Sequence, residues 1–228
     1  STYLALFLLW GVPYYIFPSI ALLCNIFVVS GNCYNYIRAG NLNLKLLLPY
    51  LIGSVPLAFI GGSLQVDKDL FEILLFLVLS IAGILLLFKF KSYDDNKSDY
   101  KKIPFIVSLF IGSLLGFISG IVGIGGGIFL SPILFLLRAG KPQHIVTTAS
   151  IFILINSLSG IVGQLTKNAV FNEISNYWVL LLAVIIGGQL GNFLNLKVFS
   201  TKILALLTAV LVIFVAIRIG LKLPMFSF

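Results

Sequence analysis

A cluster of glycines interrupts one long apolar run of the chain. The run extends from residue 104 to residue 137, and five glycines and a proline lie between Gly120 and Pro132. The run is longer than the roughly 20 residues that a membrane-spanning helix needs. Each glycine weakens a helix by roughly 1 kcal/mol relative to alanine, and proline weakens it by about 3 kcal/mol. The pattern therefore predicts two helical pieces with a break near residues 123–127.

A helix break at membrane depth constrains the rest of the protein. Freed backbone N–H and C=O groups are tolerated there only where they are buried in protein or line a wet cavity. The N-terminus of the second piece presents bare N–H groups, and transporters use such half-helix ends to bind anionic substrates. We therefore expect a site for a small anion at the break, before Ile128.

Composition places the chain in the membrane. The 228 residues are 60% hydrophobic and only 10% charged, with a mean hydropathy of +1.12, whereas soluble domains are about 25% charged. The fold class predicted is an all-α polytopic membrane protein in the cell membrane. The apolar segments that predict its helices, besides the broken run, are residues 14–37, 46–64, 73–90, 146–165, 177–194 and 203–221.

Two halves of the chain resemble each other. Residues 19–25 (SIALLCN) align with residues 150–156 (SIFILIN), so that Asn25 matches Asn156. Internal repeats with a site at their interface are typical of transporters. We divide the chain into a first repeat (1–90), a charged cytoplasmic linker (91–103) and a second repeat (104–228). In this register the first-half counterpart of the glycine break would precede Ser1, so we expect the N-terminal repeat to be truncated.

The basic residues limit the topology. The net charge of +8 does not indicate nucleic-acid binding, because lysines and arginines lie singly between apolar segments or in the linker, as the positive-inside rule requires. If the broken run crosses the membrane once, ten basic residues lie on one side of the membrane and five on the other. If one piece spans the membrane and the other is re-entrant, eleven basic residues lie on one side and four on the other. The two repeats then have inverted orientations in the membrane. We favour the second arrangement, and both place the linker in the cytoplasm. The eleven are Arg38, Lys45, Lys89, Lys91, Lys97, Lys101, Lys102, Arg138, Lys141, Lys197 and Lys202.

The acidic residues limit the chemistry. All seven fall in predicted loops, and His144 lies at a predicted helix mouth, so the interior has no carboxylate. Intramembrane carboxylates usually mark proton relays and cation sites, and their absence favours an anion. No metal-ligand cluster or cofactor is predicted, and Cys24 and Cys33 are interpreted as packing residues.

Backbone N–H groups, hydroxyls and amides can bind an anion at a lower desolvation cost than a buried lysine. Each candidate has an alternative role. Serine and threonine often bond their own i−4 carbonyl, Asn25 and Asn156 could bond between helices, and Gly112, Gly116 and Gly120 fit a packing face. The candidate substrate-binding residues are Gly123, Gly125, Gly126, Gly127, Ile128, Ser131, Thr147, Thr148, Ser150, Asn156 and Asn25.

Residues 116–132 (GFISGIVGIGGGIFLSP), followed by residues 147–150 (TTAS), resemble the sulfite exporter TauE/SafE family. Residues 38–49 (RAGNLNLKLLLP), then Gly53 and Pro56, also resemble that family's first-half loop and following helix. The resemblance implies a permease of about eight membrane segments in two repeats, associated with sulfite, sulfoacetate and sulfonates. Its motif falls on Gly123, Gly125, Gly126, Gly127, Pro132 and Ser150.

The sequence departs from the family pattern at two points. Ala149 stands where the family often has threonine before the serine, with Pro18 at the matching position of the first half, and the first-half glycine motif is missing. The first departure concerns the identity of the substrate, and the second concerns whether this chain is active.

The predicted function is a secondary transporter or facilitator for a small sulfur-containing anion, with two repeats rocking about the break. The alternatives are an anion channel, a non-transporting scaffold and a transporter of a non-sulfur anion. An intramembrane enzyme is remote, because it would need a nucleophile with a base or a metal with its ligands. The expected partners are the anion and the lipid bilayer, with no nucleic acid, and a homo-oligomer is left open.

Overall fold

The computed structural model describes residues 13–88, 100–167, 178–197 and 201–221. The described residues form eight helices without a strand, so the all-α prediction is confirmed. The helices are α1 (Phe17–Arg38), α2 (Leu44–Ser63), α3 (Lys68–Phe88), α4 (Phe105–Val122), α5 (Gly127–Leu136), α6 (Pro142–Gln164), α7 (Trp178–Lys197) and α8 (Thr201–Gly220).

The outer surface of the bundle is apolar. Among the described residues, α1, α2, α4 and α6 are long and apolar enough to cross a membrane. On α4, Ile106, Phe110 and Leu114 follow a spacing of four residues and are 77%, 70% and 50% exposed. Polar residues such as Asn25 and Asn156 are instead buried. Apolar side chains outside and polar groups inside are the arrangement that a lipid environment favours, which agrees with a polytopic membrane protein.

Helices α2 and α4 run parallel with their backbones in contact. Gly112 packs against Tyr50, Gly116 against Ser54, and Gly120 against Ala58, and a Cβ atom on any of these glycines would meet a backbone carbonyl oxygen of α2. Such close approach is the reason that membrane helices carry small residues at a shared face. The packing role predicted for these three glycines is confirmed.

Helix α6 packs on α2 in the same parallel direction. The Ser159 hydroxyl donates to the Val55 carbonyl oxygen at 2.6 Å, and Gly163 lies against the Phe59 carbonyl. Gly62 of α2 also lies against the Gly160 carbonyl. Helix α2 therefore packs against both α4 and α6, and the three form a core of parallel helices.

Helix α5 returns toward the side from which α4 begins. The Lys101 N–H, before α4, donates to the carbonyl of Arg138, after α5, at 3.0 Å. With 10 residues, α5 is about 15 Å long, roughly half of the hydrocarbon thickness of about 30 Å. Helices α4 and α5 thus form an antiparallel pair, the geometry that a spanning α4 and a re-entrant α5 would have, and this topology stays a prediction.

Helices α1 and α6 run antiparallel. Leu22 lies near Gly160, Cys33 packs in one cluster with Ile151, and the Asn41 carbonyl, just after α1, is 2.9 Å from Nδ1 of His144. Because a carbonyl can only accept, Nδ1 of His144 carries the proton. The antiparallel pairing is the one that inverted repeats require, and the repeat boundaries at 1–90, 91–103 and 104–228 stay predictions.

The prediction that all acidic residues lie in loops is wrong for Asp69 and Glu72, which belong to α3. This helix begins five residues before the apolar run at Ile73. An acidic side chain in the first turn is favoured by the helix dipole, and Glu72 lies 3.8 Å from Nζ of Lys68 one turn earlier. Asp94, Asp95, Asp99 and Glu173 lie outside the described residues.

We predict opposite effects of alanine at two glycines. Gly116→Ala should lower the melting temperature in detergent by several degrees, because the new methyl group would lie 2.6 Å from Cα of Ser54 and must separate α2 from α4. Gly31→Ala is the control, since nothing lies within 4 Å of its Cβ position in α1. It should raise stability by about 0.5–1 kcal/mol. Equal melting temperatures for the two variants would contradict the packing.

Candidate functional site

The helix break is built on three glycines with left-handed backbone. Gly123, Gly125 and Gly126 have φ angles of +82°, +76° and +70°, a region that costs other residues about 1–2 kcal/mol each. Gly123 ends α4, and its N–H donates to the Ser119 carbonyl at 2.8 Å. Gly126 is the N-cap of α5. The predicted break is therefore confirmed, and glycine is needed there for conformation as well as for space.

The break lies at the middle of the bundle. A methyl group on Gly125 would lie 2.8 Å from Nδ2 of Asn25 and 3.2 Å from Oγ of Ser157. One on Gly126 would lie 2.8 Å from Cε1 of Phe152 and 3.3 Å from the Leu115 carbonyl oxygen. Leu115 lies in the middle of α4, and Phe152 and Ser157 lie in the central turns of α6. The N-terminus of α5 is thus buried at mid-depth.

Several N–H groups at the break have no backbone acceptor among the described residues. The Gly127 N–H donates to the Gly125 carbonyl at 2.9 Å, and the N–H groups of Phe129 and Leu130 both donate to the Gly126 carbonyl at 3.2 Å. Within the described residues the N–H groups of Gly125, Gly126 and Ile128 have no backbone acceptor. Together with the α5 dipole, equivalent to roughly +0.5 charge at the N-terminus, they make this point suitable for an anion.

Two buried amide side chains hold the end of α4. Nδ2 of Asn25 donates to the Gly123 carbonyl at 3.2 Å, and Nε2 of Gln164 donates to the Gly120 carbonyl at 3.1 Å. Both carbonyls belong to the final turn or cap of α4, where intrahelical donors run out. Asn25 therefore joins α1 to the break, and it also borders Gly125.

The candidates on α6 are placed differently from one another. The Thr147 hydroxyl donates to the Gln143 carbonyl at 2.7 Å, and the Ser150 hydroxyl donates to the Val146 carbonyl at 2.9 Å. Nδ2 of Asn156 donates to the Phe152 carbonyl at 2.9 Å. These are bonds within the helix, the alternative role considered for such residues. Thr148 is fully buried, and Ser131 is partly buried on α5.

The structure adds hydroxyls that the candidate set lacked. Within the described residues, the buried oxygens of Ser19, Ser119 and Ser157 make no hydrogen bond, and the same holds for Oγ1 of Thr148 and Oδ1 of Asn156. Ser157 borders Gly125, and Cβ of Ser119 would lie 3.6 Å from a methyl group on Gly126. A buried polar group without a partner costs about 1–3 kcal/mol. Two of these groups, the hydroxyls of Ser119 and Ser157, lie at the break and support a polar occupant there.

Sequence relations could have identified these three serines as candidates. Ser19 aligns with the candidate Ser150 in the repeat, Ser119 lies one helical turn before Gly123, and Ser157 lies seven residues after Ser150. The structure brings Ser119 and Ser157 together at the break, whereas the Ser150 hydroxyl is bonded within α6.

Among the described residues, no charged group lies at the break. Cys24 and Cys33 are buried free thiols within hydrophobic clusters, as expected of packing residues. In the described ranges no group of three His, Cys, Asp or Glu side chains could hold a metal ion. The polar groups at the break include N–H groups, hydroxyls and amides, which are able to donate hydrogen bonds to an anion without forming an ion pair.

We predict that Gly125→Ala lowers stability more than Gly40→Ala. Both glycines have nearly the same positive φ, +76° and +73°, so the conformational cost of about 1–2 kcal/mol is shared. Nothing lies within 4 Å at Gly40, whereas Gly125 is enclosed by Asn25, Ile153 and Ser157. Thermal unfolding of both variants in detergent isolates the packing contribution. A Gly125→Ala variant as stable as Gly40→Ala would contradict the enclosed geometry.

Comparisons with known proteins agree with this architecture. The family model described as "Sulfite exporter TauE/SafE" matches residues 2–219. The probable membrane transporter protein y4hK of Sinorhizobium fredii is 25% identical over 216 residues, covering 92% of this chain and 85% of its own length. The probable membrane transporter protein YunE of Bacillus subtilis is 26% identical over 214 residues, covering 85% and 76%.

A probable membrane transporter protein of Methanocaldococcus jannaschii is 26% identical over 206 residues, covering 82% of this chain and 74% of its own length. No solved structure matches the chain. These relatives are named as probable membrane transporters, which favours transport over the enzyme alternative. Because the family model covers nearly the whole sequence, the chain belongs to the TauE/SafE sulfite exporter family of membrane transporters.

Proposed function

We propose that this permease transports a small sulfur-containing anion, sulfite or an organosulfonate, and binds it at the N-terminus of α5. The observation that carries the proposal is the buried break, with the N–H groups of Gly125, Gly126 and Ile128 lacking backbone acceptors. Family membership supports transport. The name of the matching family supports sulfur anions as the substrate class.

The chemistry of the break favours an oxyanion over a cation. Sulfite and sulfonate groups carry several oxygens, each of which accepts hydrogen bonds from donors that replace its hydration shell. The hydroxyls of Ser119 and Ser157 can supply donors beside the N–H groups. A carboxylate at this position would repel the anion, and none of the described carboxylates lies at the break. Asp69 and Glu72 are at the start of α3.

The depth of the break fits alternating access. A cavity of about 250 Å³ lies where α2 and α6 end, with Gln65 and Lys167 among its lining residues. Another, of about 200 Å³, lies where α6 begins and includes Asn41 and Gln143. Neither cavity is lined by the glycines of the break, which are buried. Transport then requires the protein to open toward one end and afterwards toward the other.

We predict that one sulfur anion will stabilise the purified protein. A ligand at 100 times its dissociation constant adds about 2.7 kcal/mol. The measurement is the melting temperature in detergent with sulfite, thiosulfate, sulfate, taurine, sulfoacetate, acetate or chloride. The proposal expects a shift with sulfite or an organosulfonate and none with chloride. Flat results with a folded protein would exclude the sulfur-anion assignment.

The matched variants are Asn25→Asp and Asn35→Asp, which place the same new charge on α1. Asn25 is 5% exposed and borders the break, whereas Asn35 is exposed. A carboxylate at residue 25 should abolish the anion-dependent shift, because it repels the ligand and cannot donate to the Gly123 carbonyl. The Asn35→Asp variant should keep the shift. Anion stabilisation that survives in folded Asn25→Asp would place the binding site elsewhere.

A further inference from the structure

A cavity lies at the end of the bundle where α1 and α3 begin. Its volume is about 250 Å³, and its wall includes Tyr14, Tyr15, Pro18, Gln65, Ile121 and Lys167. Lys167 supplies an ammonium group to this wall. The aromatic, amide and aliphatic residues named here carry no formal charge.

The ammonium group of Lys167 is held near the protein interior. Lys167 lies three residues after α6 and is partly buried, and its Nζ donates to Oε1 of Gln164 at 3.1 Å. The same Gln164 donates through Nε2 to the Gly120 carbonyl in the last turn of α4. Burial lowers the pKa of Lys167 from its ordinary value. The cation is thus connected, through one side chain, to the helix that ends at the break.

The inner wall of the cavity is also a wall of the break. Pro18 lines the cavity, and its Cα would lie 2.6 Å from a methyl group on Gly123. Ile121, which lines the same cavity, precedes Gly123 by two residues in the final turn of α4. A layer one residue thick therefore separates the cavity from Gly123, the first of the left-handed glycines.

No carboxylate in the described part of the chain neutralises the charge of Lys167. Glu72 forms its ion pair with Lys68 at 3.8 Å, and Asp67 and Asp69 are exposed. No ion pair joins any described carboxylate to Lys167. Its partner is instead the neutral amide of Gln164.

We propose that this cavity is a recruitment site for small oxyanions, in which Lys167 attracts the anion before it passes the layer of Pro18 and Ile121 to reach the break. The inference rests on the proposed function for the destination of the anion. The charge preference of the cavity itself does not depend on transport. Lys167 is here a binding residue of the vestibule, and the sulfonate or sulfite group is the ligand class.

The test measures the charge preference of the cavity with thiol reagents. Gln65→Cys, and separately Val66→Cys, place a thiol on its wall, while the native Cys24 and Cys33 are buried and provide the background rate. Purified protein in a neutral detergent is treated with sulfonatoethyl or trimethylammonioethyl methanethiosulfonate. The ratio of the two modification rates reports the local potential, and the anionic reagent carries a sulfonate group.

The expected result is a ratio that favours the anionic reagent and falls about fivefold on Lys167→Gln, as the loss of one nearby charge in a wet cavity predicts. Lys167→Arg keeps the charge and should keep the ratio. Lys68→Gln, which removes the exposed and paired cation at the same end of the bundle, should change it less than twofold. An unchanged ratio in Lys167→Gln at both thiol positions would overturn the inference.

A transport measurement separates this inference from the proposed function. In proteoliposomes that take up the anion identified by thermal stabilisation, Lys167→Gln should raise KM about fivefold and leave the maximal rate within twofold. An unchanged KM would also overturn the recruitment role, while the anion site at the break would stand. A charge preference that depends on Lys167 in a protein that no sulfur anion stabilises would support the vestibule and reject the proposed substrate.

Discussion

The structure depends on the need to satisfy backbone polar groups where water is scarce. A helix that ends inside the bundle leaves carbonyls unpaired at its end, the next helix leaves N–H groups unpaired at its start, and lipid can satisfy neither. Here protein surrounds both ends. Asn25 donates to the Gly123 carbonyl, and Gln164 donates to the Gly120 carbonyl. The carbonyl end of the break is therefore paired by side chains, whereas N–H groups of Gly125, Gly126 and Ile128 lack backbone acceptors. This asymmetry is the physical basis of the proposed preference for anions.

Much of the architecture could be predicted from the sequence because glycine and proline have strong local effects. The position of the break followed from the glycines between 123 and 127, and α5 begins at Gly127. The spacing of Gly112, Gly116 and Gly120 predicted a packing face, which contacts α2. Helix boundaries were less predictable at charged ends. Helix α3 begins at Lys68 rather than at the apolar Ile73. A search for apolar runs misses this first turn, because it is polar and is stabilised by an acidic side chain at the helix N-terminus.

The hydrogen bonding of the candidate site was less predictable than the position of the helix break. Serine and threonine hydroxyls can bond their own helix or face a neighbour, and the sequence alone does not distinguish these outcomes. Ser150 bonds the Val146 carbonyl, whereas Ser157, two turns later, borders Gly125 without a hydrogen bond among the described residues. Lys167 entered the sequence argument only as one of the four basic residues on the side opposite the eleven. Its position in a cavity depends on the packing of α1, α3 and α6, which is not local in sequence.

The contacts of α2 have a mechanical consequence. Glycines set its backbone directly against those of α4 and α6, without side chains that could change rotamer between them. Sliding one of these helices along another would drive carbonyl oxygens into neighbouring backbone, and close-packed interiors resist such strain. The three helices should therefore move as one rigid block, although α2 precedes the linker and α4 and α6 follow it. We expect a moving boundary in the proposed transport cycle to lie between this block and the helices around it, rather than at the midpoint of the chain.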